Sequence, residues 1–427
     1  MIFKLRGAGR GGRLPVKTLY LHVGTTKTGT TALQYFCYAN RDELGRRGLG
    51  YPVMPFRADT APEPRNGHAL VCRDALDADG APLGGASGVE RCLDEVASAF
   101  ADHDAVLLSD EDIWVASLYG DCAFWGPLLE HAREHAYAVK IVIYLRRQDA
   151  LANSWYLQLC KEPFRKDTLF FDEWIRQPVP RFDYRRVLDG FSSIVGAENI
   201  IVRPYDRARL EADGGSIYSD FLGCMGLALD DGLPIPEGHA NDTSLTPNFA
   251  AFLHAAKNSP YWRPIMSNTF RNVATRLSKR ESDVPAMQMF SADEARAFVG
   301  RFAQGNASIA SEWLGGGPLF SDEYREALKW TSGNEWMEDD LTRFFLGVND
   351  RLNRQLELAS GERRVSPVAP LGALEREEIS TEPALAAARH LADYFLLREI
   401  EIESGADLEP LDRPCVRRMV KLMLHGA

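Results

Sequence analysis

The sequence predicts an α/β protein built on a mostly parallel sheet covered by helices. Three observations predict it: four short apolar runs of strand character, amphipathic helical segments between them, and a glycine-bearing turn joining the first strand to the first helix. The strands fall at Thr18 to Val23, Ala105 to Ser109, Lys140 to Arg146 and Ile200 to Arg203. After the first, Leu33, Phe36, Cys37 and Leu44 recur at spacings of three, four and seven residues, which gives a helix one apolar face. Leu151, Trp155 and Leu159 repeat the pattern after the third strand. Sheets of this kind gather their ligands at the carboxyl ends of the strands, where the helices begin.

Between these elements the texture changes. Tyr51 to Gly88 is rich in Pro, Gly, Asp and Ala and reads as a surface excursion carrying a short helix from Asn66 to Leu76. A loop at Asp230 to Asn241 gives way to a mainly helical pattern from Pro247. Ser291 and Glu294 form a capping box for a helix reaching about Trp313. A loop near Ser360 to Pro370 precedes helices at about Pro383 to Ile402 and Pro414 to Leu424. The expected organisation is a main domain over residues 17–324 and a mainly helical extension over 325–427.

Composition limits the partners. The net charge of -11, from 49 basic and 60 acidic side chains, argues against a polyanionic backbone such as nucleic acid and leaves room for a small basic pocket. No apolar run is long enough for an integral membrane segment or an export signal, so the expected location is the cytoplasm. The basic segment with Lys4, Arg6, Arg10, Arg13 and Lys17 offers a peripheral contact with the inner membrane face, although its interleaved glycines fit a solvated extension better. Seven scattered cysteines show no metal-ligand spacing and read as reduced thiols. The tripeptides at Asn241 and Asn306 that match a glycosylation acceptor are expected to be chance matches.

The strongest local signal is Leu21-His22-Val23-Gly24-Thr25-Thr26-Lys27-Thr28-Gly29-Thr30-Thr31. Gly24 and Gly29 permit a tight path, and the amides of Thr28, Gly29, Thr30 and Thr31 can point into an anion at the positive end of the helix. Lys27 sits in the middle of the turn, placed to neutralise charge on a leaving phosphate. The lysine is displaced from the position that the usual triphosphatase loop requires, which weakens ATP hydrolysis as a function. Arg146 ends an apolar strand, where an anionic ligand or a carboxylate would satisfy its charge, and Ser154 follows early in the next helix.

This turn resembles the 5'-phosphosulfate loop of sulfotransferases that use 3'-phosphoadenosine 5'-phosphosulfate. The segment Ile143-Tyr144-Leu145-Arg146-Arg147-Gln148-Asp149-Ala150-Leu151-Ala152-Asn153-Ser154 is similar to that family's second motif, an arginine ending a strand and a serine eight residues later. The resemblance runs from about Lys17 to Tyr324 and is nearest to bacterial carbohydrate-directed members. It implies a nucleotide-kinase-like parallel sheet, Arg146 and Ser154 on the donor's 3'-phosphate, chemistry without a metal, and a carbohydrate hydroxyl or amine as acceptor.

Transfer of a sulfuryl group also needs a proton acceptor. Glu111, at the end of the strand Ala105 to Ser109, is one candidate base, with helix capping as its ordinary alternative, and Asp110 is a lesser one. His68, in the excursion, is another. His22 lies within the first strand and reads as a satisfied core imidazole. Two other functions remain open at this level: a kinase of related fold, and an anion-binding scaffold without catalysis.

Overall fold

The computed structural model describes residues 17–54, 57–58, 64–71, 75–76, 88–120, 122–162, 170–177, 180–206, 209–210, 215–237, 245–257, 264–279, 286–324 and 327–360. The basic residues before Lys17 and the helices expected after Pro383 lie outside this set, as do the tripeptide at Asn241 and the acceptor-side residues 59–63 and 77–87. Two compact units emerge. The first comprises residues 1–147, 179–241 and 302–321; the second comprises 148–178, 242–301 and 322–427, and so draws on both sides of the expected boundary at 324.

The first unit is organised by a five-stranded sheet. Its strands are β1 (Thr18–His22), β2 (Leu49–Gly50), β3 (Ala105–Ser109), β4 (Ala138–Leu145) and β5 (Ile200–Pro204), in the spatial order β2-β3-β1-β4-β5. Every pairing is parallel, with Leu21 registered on Leu108 at one side and on Ile141 at the other. The parallel sheet expected from the apolar runs is therefore present, with one further short strand at Leu49–Gly50. β1 lies between neighbours that follow it by different crossovers, and the strand order reverses there, which makes the carboxyl end of β1 the ligand-binding position of such a sheet.

Alternation of side chains along the strands creates two apolar faces. Leu107, Val142 and Tyr144 pack with Leu33, Phe36 and Cys37 from the helix Thr30–Ala39 and with Phe221 and Leu222 from the helix Ile217–Cys224. Helices Gly88–Asp102, Trp125–Glu134 and Tyr184–Val195 contact β3, β4 and β5, so helices cover both sides of the sheet. The predicted periodicity of Leu33, Phe36 and Cys37 is the stripe that the sheet buries. Trp114 is also in this core, edge-on to Tyr184.

Two expected helices differ from the structure. The residues from Asn66 to Leu76 form a short 3-10 turn at His68–Leu70 and a two-residue strand at Ala75–Leu76 paired with Arg57–Ala58. The cause is the Asn66 side chain, whose amide donates to the carbonyls of Pro52 and Leu107 while its oxygen accepts from the Ser109 amide at 2.8 Å. This ties the turn to β3. The helix capped by Ser291 and Glu294 has the expected capping box, but it stops at Gly300, a weak helix former, and a separate helix spans Ala303–Trp313. Asn306 is buried on that second helix, which leaves no room for a glycan.

Among its described residues the second unit is mainly helical, with one short parallel pair between Met287–Gln288 and Leu328–Lys329. Helices Pro247–Lys257, Pro264–Ser278 and Met337–Ser360 pack together through Phe249, Phe252, Phe270, Phe344 and Phe345. Helix Gln148–Lys161 joins them, with the buried Lys257 ammonium donating to the Leu159 carbonyl at 2.7 Å. No helix among the described residues is long and apolar enough to cross a membrane.

Candidate functional site

The turn after β1 is built by strain and by tethers to β4. Val23 and Thr25 donate their amides to Val142 and Tyr144, and the Thr25 hydroxyl donates to the Tyr144 carbonyl at 2.9 Å. The chain then passes through left-handed backbone at Gly24 (φ 35°), Lys27 (φ 69°) and Gly29 (φ 79°). For Lys27 this conformation costs about 1–2 kcal/mol, and such strain persists where surrounding contacts over-determine it. One such contact is the Arg146 guanidinium, which donates from Nη1 to the Lys27 carbonyl at 2.9 Å. The Thr28 hydroxyl closes the turn on the Thr25 carbonyl at 2.5 Å.

This path leaves the start of the helix Thr30–Ala39 open to an anion. Its N-cap is Gly29, which has no side chain to accept from the first amides. Two buried polar atoms have no hydrogen-bond partner nearby, Thr30 Oγ1 and His22 Nε2. A Cβ added to Gly24 would stand 2.9 Å from the first and 3.5 Å from the second, so both line the hollow beside that glycine. Buried polar atoms without partners are expensive, a cost that a ligand atom reaching them would relieve. Gly29 is equally constrained: a Cβ there would come within 3.0 Å of Ile217 Cδ1, beside the Tyr205 ring.

The sequence candidates assemble as follows. Lys27, Thr28, Gly29, Thr30, Thr31 and Arg146 lie together at the carboxyl ends of β1 and β4. The Tyr184 hydroxyl donates to the Arg146 carbonyl, and the Tyr205 ring lies 5.9 Å from the Arg146 guanidinium carbon. Ser154 stands half-buried on the helix Gln148–Lys161, in the second unit. His22 is buried in the core as expected, with Nδ1 at 2.8 Å from the Ser109 hydroxyl, but only this half of the imidazole is satisfied; burial, against the pull of Asp110, brings its pKa down to about 3.

Glu111 and His68 meet at the end of β3. Glu111 occupies the N-cap position of the helix Asp112–Tyr119, yet its side chain makes no capping bond. It accepts instead from the Gln34 amide at 3.3 Å. Burial raises the Glu111 pKa above the ordinary glutamate value, with Asp110 and Asp112 adding to the rise and Arg65 opposing it. Asp110 is fully buried, and both its oxygens are taken by the Arg65 fork, at 2.9 Å from Nε and 2.7 Å from Nη2. Burial works against its charge, but the bonds to His68 and Arg65 outweigh burial and hold its pKa below the usual range. A carboxylate held ionised in this way is a weak base. His68 is raised for the complementary reason, burial being outweighed by Asp110.

His68, Asp110 and Asp112 bring ligand atoms within 4.8 Å of one another, close enough to surround a cation. The position between the two carboxylates is held by Arg65, which also donates to Asp112 at 2.8 Å, so a guanidinium already fills the place of a cation. Arg65 and Gln34 were not visible as site residues in the sequence. Neither lies in a motif, and long-range bonds from Asn66 and Gly67 to β3 help to bring Arg65 to this place.

A cavity of about 1050 Å³ opens beside β5, lined among others by Arg203, Pro204, Arg209, Ser216 and Gly316. Pro204 and Ser216 are the chain neighbours of Tyr205 and Ile217, the two residues packed against Gly29. Arg203 is paired with Asp220, which also accepts from the Tyr144 hydroxyl at 2.6 Å.

No protein-family model matches the chain. A curated relative, an uncharacterized protein of Archaeoglobus fulgidus, is 28% identical over 180 residues, which is 41% of this chain and 46% of that protein. The match therefore spans about half the length of the relative. Among solved structures, a sulfotransferase from Alicyclobacillus acidocaldarius is similar at a TM-score of 0.30 and 17% identity, covering 62% of this chain and 96% of that one. The sulfotransferase domain of the Synechococcus PCC 7002 olefin synthase is similar at a TM-score of 0.30 and 14% identity, covering 67% and 94%. At these scores neither structure supplies residue correspondences, and the site rests on its own geometry.

Proposed function

We propose that this protein transfers a sulfuryl group from 3'-phosphoadenosine 5'-phosphosulfate to a hydroxyl or amine of a carbohydrate acceptor. The observation that carries the reading is the direct link between the two charged elements: the Arg146 guanidinium donates to the backbone of Lys27 inside an uncapped, strained anion-binding turn. One donor molecule bearing phosphate at two ends fits that pairing. A single phosphate would be served by the turn alone. The 3'-phosphate is assigned to Arg146 on the strength of the motif in which it stands.

In this reading the acceptor oxygen or nitrogen attacks sulfur in line, and the bond from sulfur to the bridging 5'-phosphate oxygen breaks. Adenosine 3',5'-bisphosphate leaves. The amides of Thr28, Gly29, Thr30 and Thr31 hold the 5'-phosphate, and the Lys27 ammonium offsets the charge that develops on the bridging oxygen. The acceptor proton passes to Glu111, whose burial keeps the carboxylate basic; His68, already engaged with Asp110, is the second candidate. No residue in this scheme calls for a metal. A kinase of related fold is the competing reading, and the absence of a lysine after Gly29 weighs against it.

The test is donor turnover. Purified protein incubated with 3'-phosphoadenosine 5'-phosphosulfate and separate carbohydrate, phenol and amine panels should release adenosine 3',5'-bisphosphate with a carbohydrate panel member. Phosphate transfer from ATP with no turnover of the sulfated donor would support the kinase, and binding of the donor without turnover on any panel would support a scaffold.

A further inference from the structure

We infer that Gln34 is the positioning residue for the Glu111 carboxylate, tying the proton acceptor to the same helix whose first turn forms the donor cradle. The inference rests on the reading that Glu111 is the base. Gln34 is 1% exposed and lies one turn beyond Thr30 on the helix Thr30–Ala39. Its buried neighbours Leu33, Phe36 and Cys37 are apolar. An amide in such a place is costly unless its bonds are made. They are made at the end of β3: Gln34 Nε2 lies 3.3 Å from Glu111 Oε2 and 3.4 Å from the Ser109 carbonyl. A glutamine amide has two N–H groups, so it serves both acceptors together.

The geometry fixes the carboxylate in orientation relative to the turn. Gln34 and Thr30 share one rigid helix, so any donor held by the first amides is in register with the base. The charged groups around Glu111 are Asp110 and Asp112 in its own segment, and Arg65 with His68 from the segment Pro64–Val71. The two aspartates and burial favour the protonated acid. Arg65 opposes them but is already shared between Asp110 and Asp112. A neutral donor aimed at Glu111 shifts the balance toward the carboxylate without placing another charge in the site.

The experiment uses the full chain with Gln34→Met, which keeps length and removes the amide, and Gln34→Glu, which keeps shape and adds an acid. Protonation of Glu111 is read from the carboxylic stretch that disappears in infrared difference spectra against Glu111→Gln, titrated over pH. Binding of adenosine 3',5'-bisphosphate is measured by calorimetry. The expected result is an upward move of the Glu111 transition by about one pH unit in Gln34→Met and a larger one in Gln34→Glu, where two carboxylates share the site. Bisphosphate affinity should stay within about threefold in Gln34→Met. An unmoved transition in both variants, or in Gln34→Glu alone should Gln34→Met fail to fold, overturns the inference. The base reading is tested separately by the turnover of Glu111→Gln: full activity there removes the base role and the positioning role with it, whereas lost activity with an unmoved transition removes only the role of Gln34.

Discussion

Replacing Arg146 by alanine should erase the preference for a 3'-phosphate, and the structure shows how to separate that effect from a general weakening. Arg146 has two consequences. Its guanidinium braces the strained turn through the bond to the Lys27 carbonyl, and, in the proposed complex, it pairs with the 3'-phosphate. Loss of the brace removes a hydrogen bond worth about 0.5–1.5 kcal/mol and should weaken every nucleotide that uses the turn to the same extent. Loss of the charged pairing costs about 1.5–3 kcal/mol more, but only for a ligand carrying a 3'-phosphate, which is roughly 10-fold to 150-fold in affinity. The ratio of dissociation constants for adenosine 5'-phosphate and adenosine 3',5'-bisphosphate cancels the first effect. Calorimetric titration should therefore give a ratio of at least about 10 for the wild type and a value near 1 for Arg146→Ala. Equal weakening of both ligands, with the ratio unchanged, would refute the 3'-phosphate assignment and leave Arg146 as a brace alone.

Other perturbations have distinct signatures. Gly29→Ala puts a Cβ within 3.0 Å of Ile217 Cδ1 at a φ of 79°, so bisphosphate affinity should fall at least about tenfold while the thermal transition moves by only a few degrees. Lys27→Met should lower turnover by about 100-fold, more than it lowers bisphosphate affinity, since the ammonium acts on charge that develops during transfer; equal losses in binding and turnover would contradict that role. Glu111→Gln should reduce turnover by roughly 10²–10⁴ with bisphosphate binding retained, and wild-type turnover should rise with pH through a transition above the ordinary glutamate value. Because the folded pKa of Glu111 is raised, its contribution to stability declines as pH rises through that range, so Glu111→Gln should melt higher than wild type at neutral pH. Asp110→Asn leaves Arg65 with the more exposed Asp112 as its carboxylate partner and should cost about 1–3 kcal/mol at neutral pH by chemical denaturation. Since the Asp110 pKa is lowered by folding, the wild type should lose this advantage as pH falls below about 4, and the two denaturation curves should converge.

The parts of this molecule legible from sequence are those written in local periodicity. The strands at Thr18, Ala105, Lys140 and Ile200 announce themselves as apolar runs, and β3 matches its expected bounds residue for residue. The turn after β1 is legible because glycine is placed where the backbone must turn left-handed, at Gly24 and Gly29. The strained Lys27 has no such signal, since a lysine gives no hint of positive φ. The segment from Asn66 to Leu76 misleads because its helix-compatible residues are overridden by a long-range event, the insertion of one asparagine side chain between backbone groups of β3. Arg65 and Gln34 escape detection for the same reason: each becomes a site residue only when the sheet brings positions some 45 and 77 residues apart into contact. The second strand, two residues long, carries too little pattern to be read.

The most direct test of the two-ended donor site is a crystal structure of the protein with adenosine 3',5'-bisphosphate. The 5'-phosphate should lie on the amides from Thr28 to Thr31 beside Lys27, with the 3'-phosphate within hydrogen-bond reach of the Arg146 guanidinium. A nucleotide bound with its 3'-phosphate in solvent, or seated away from the turn after β1, would contradict the account.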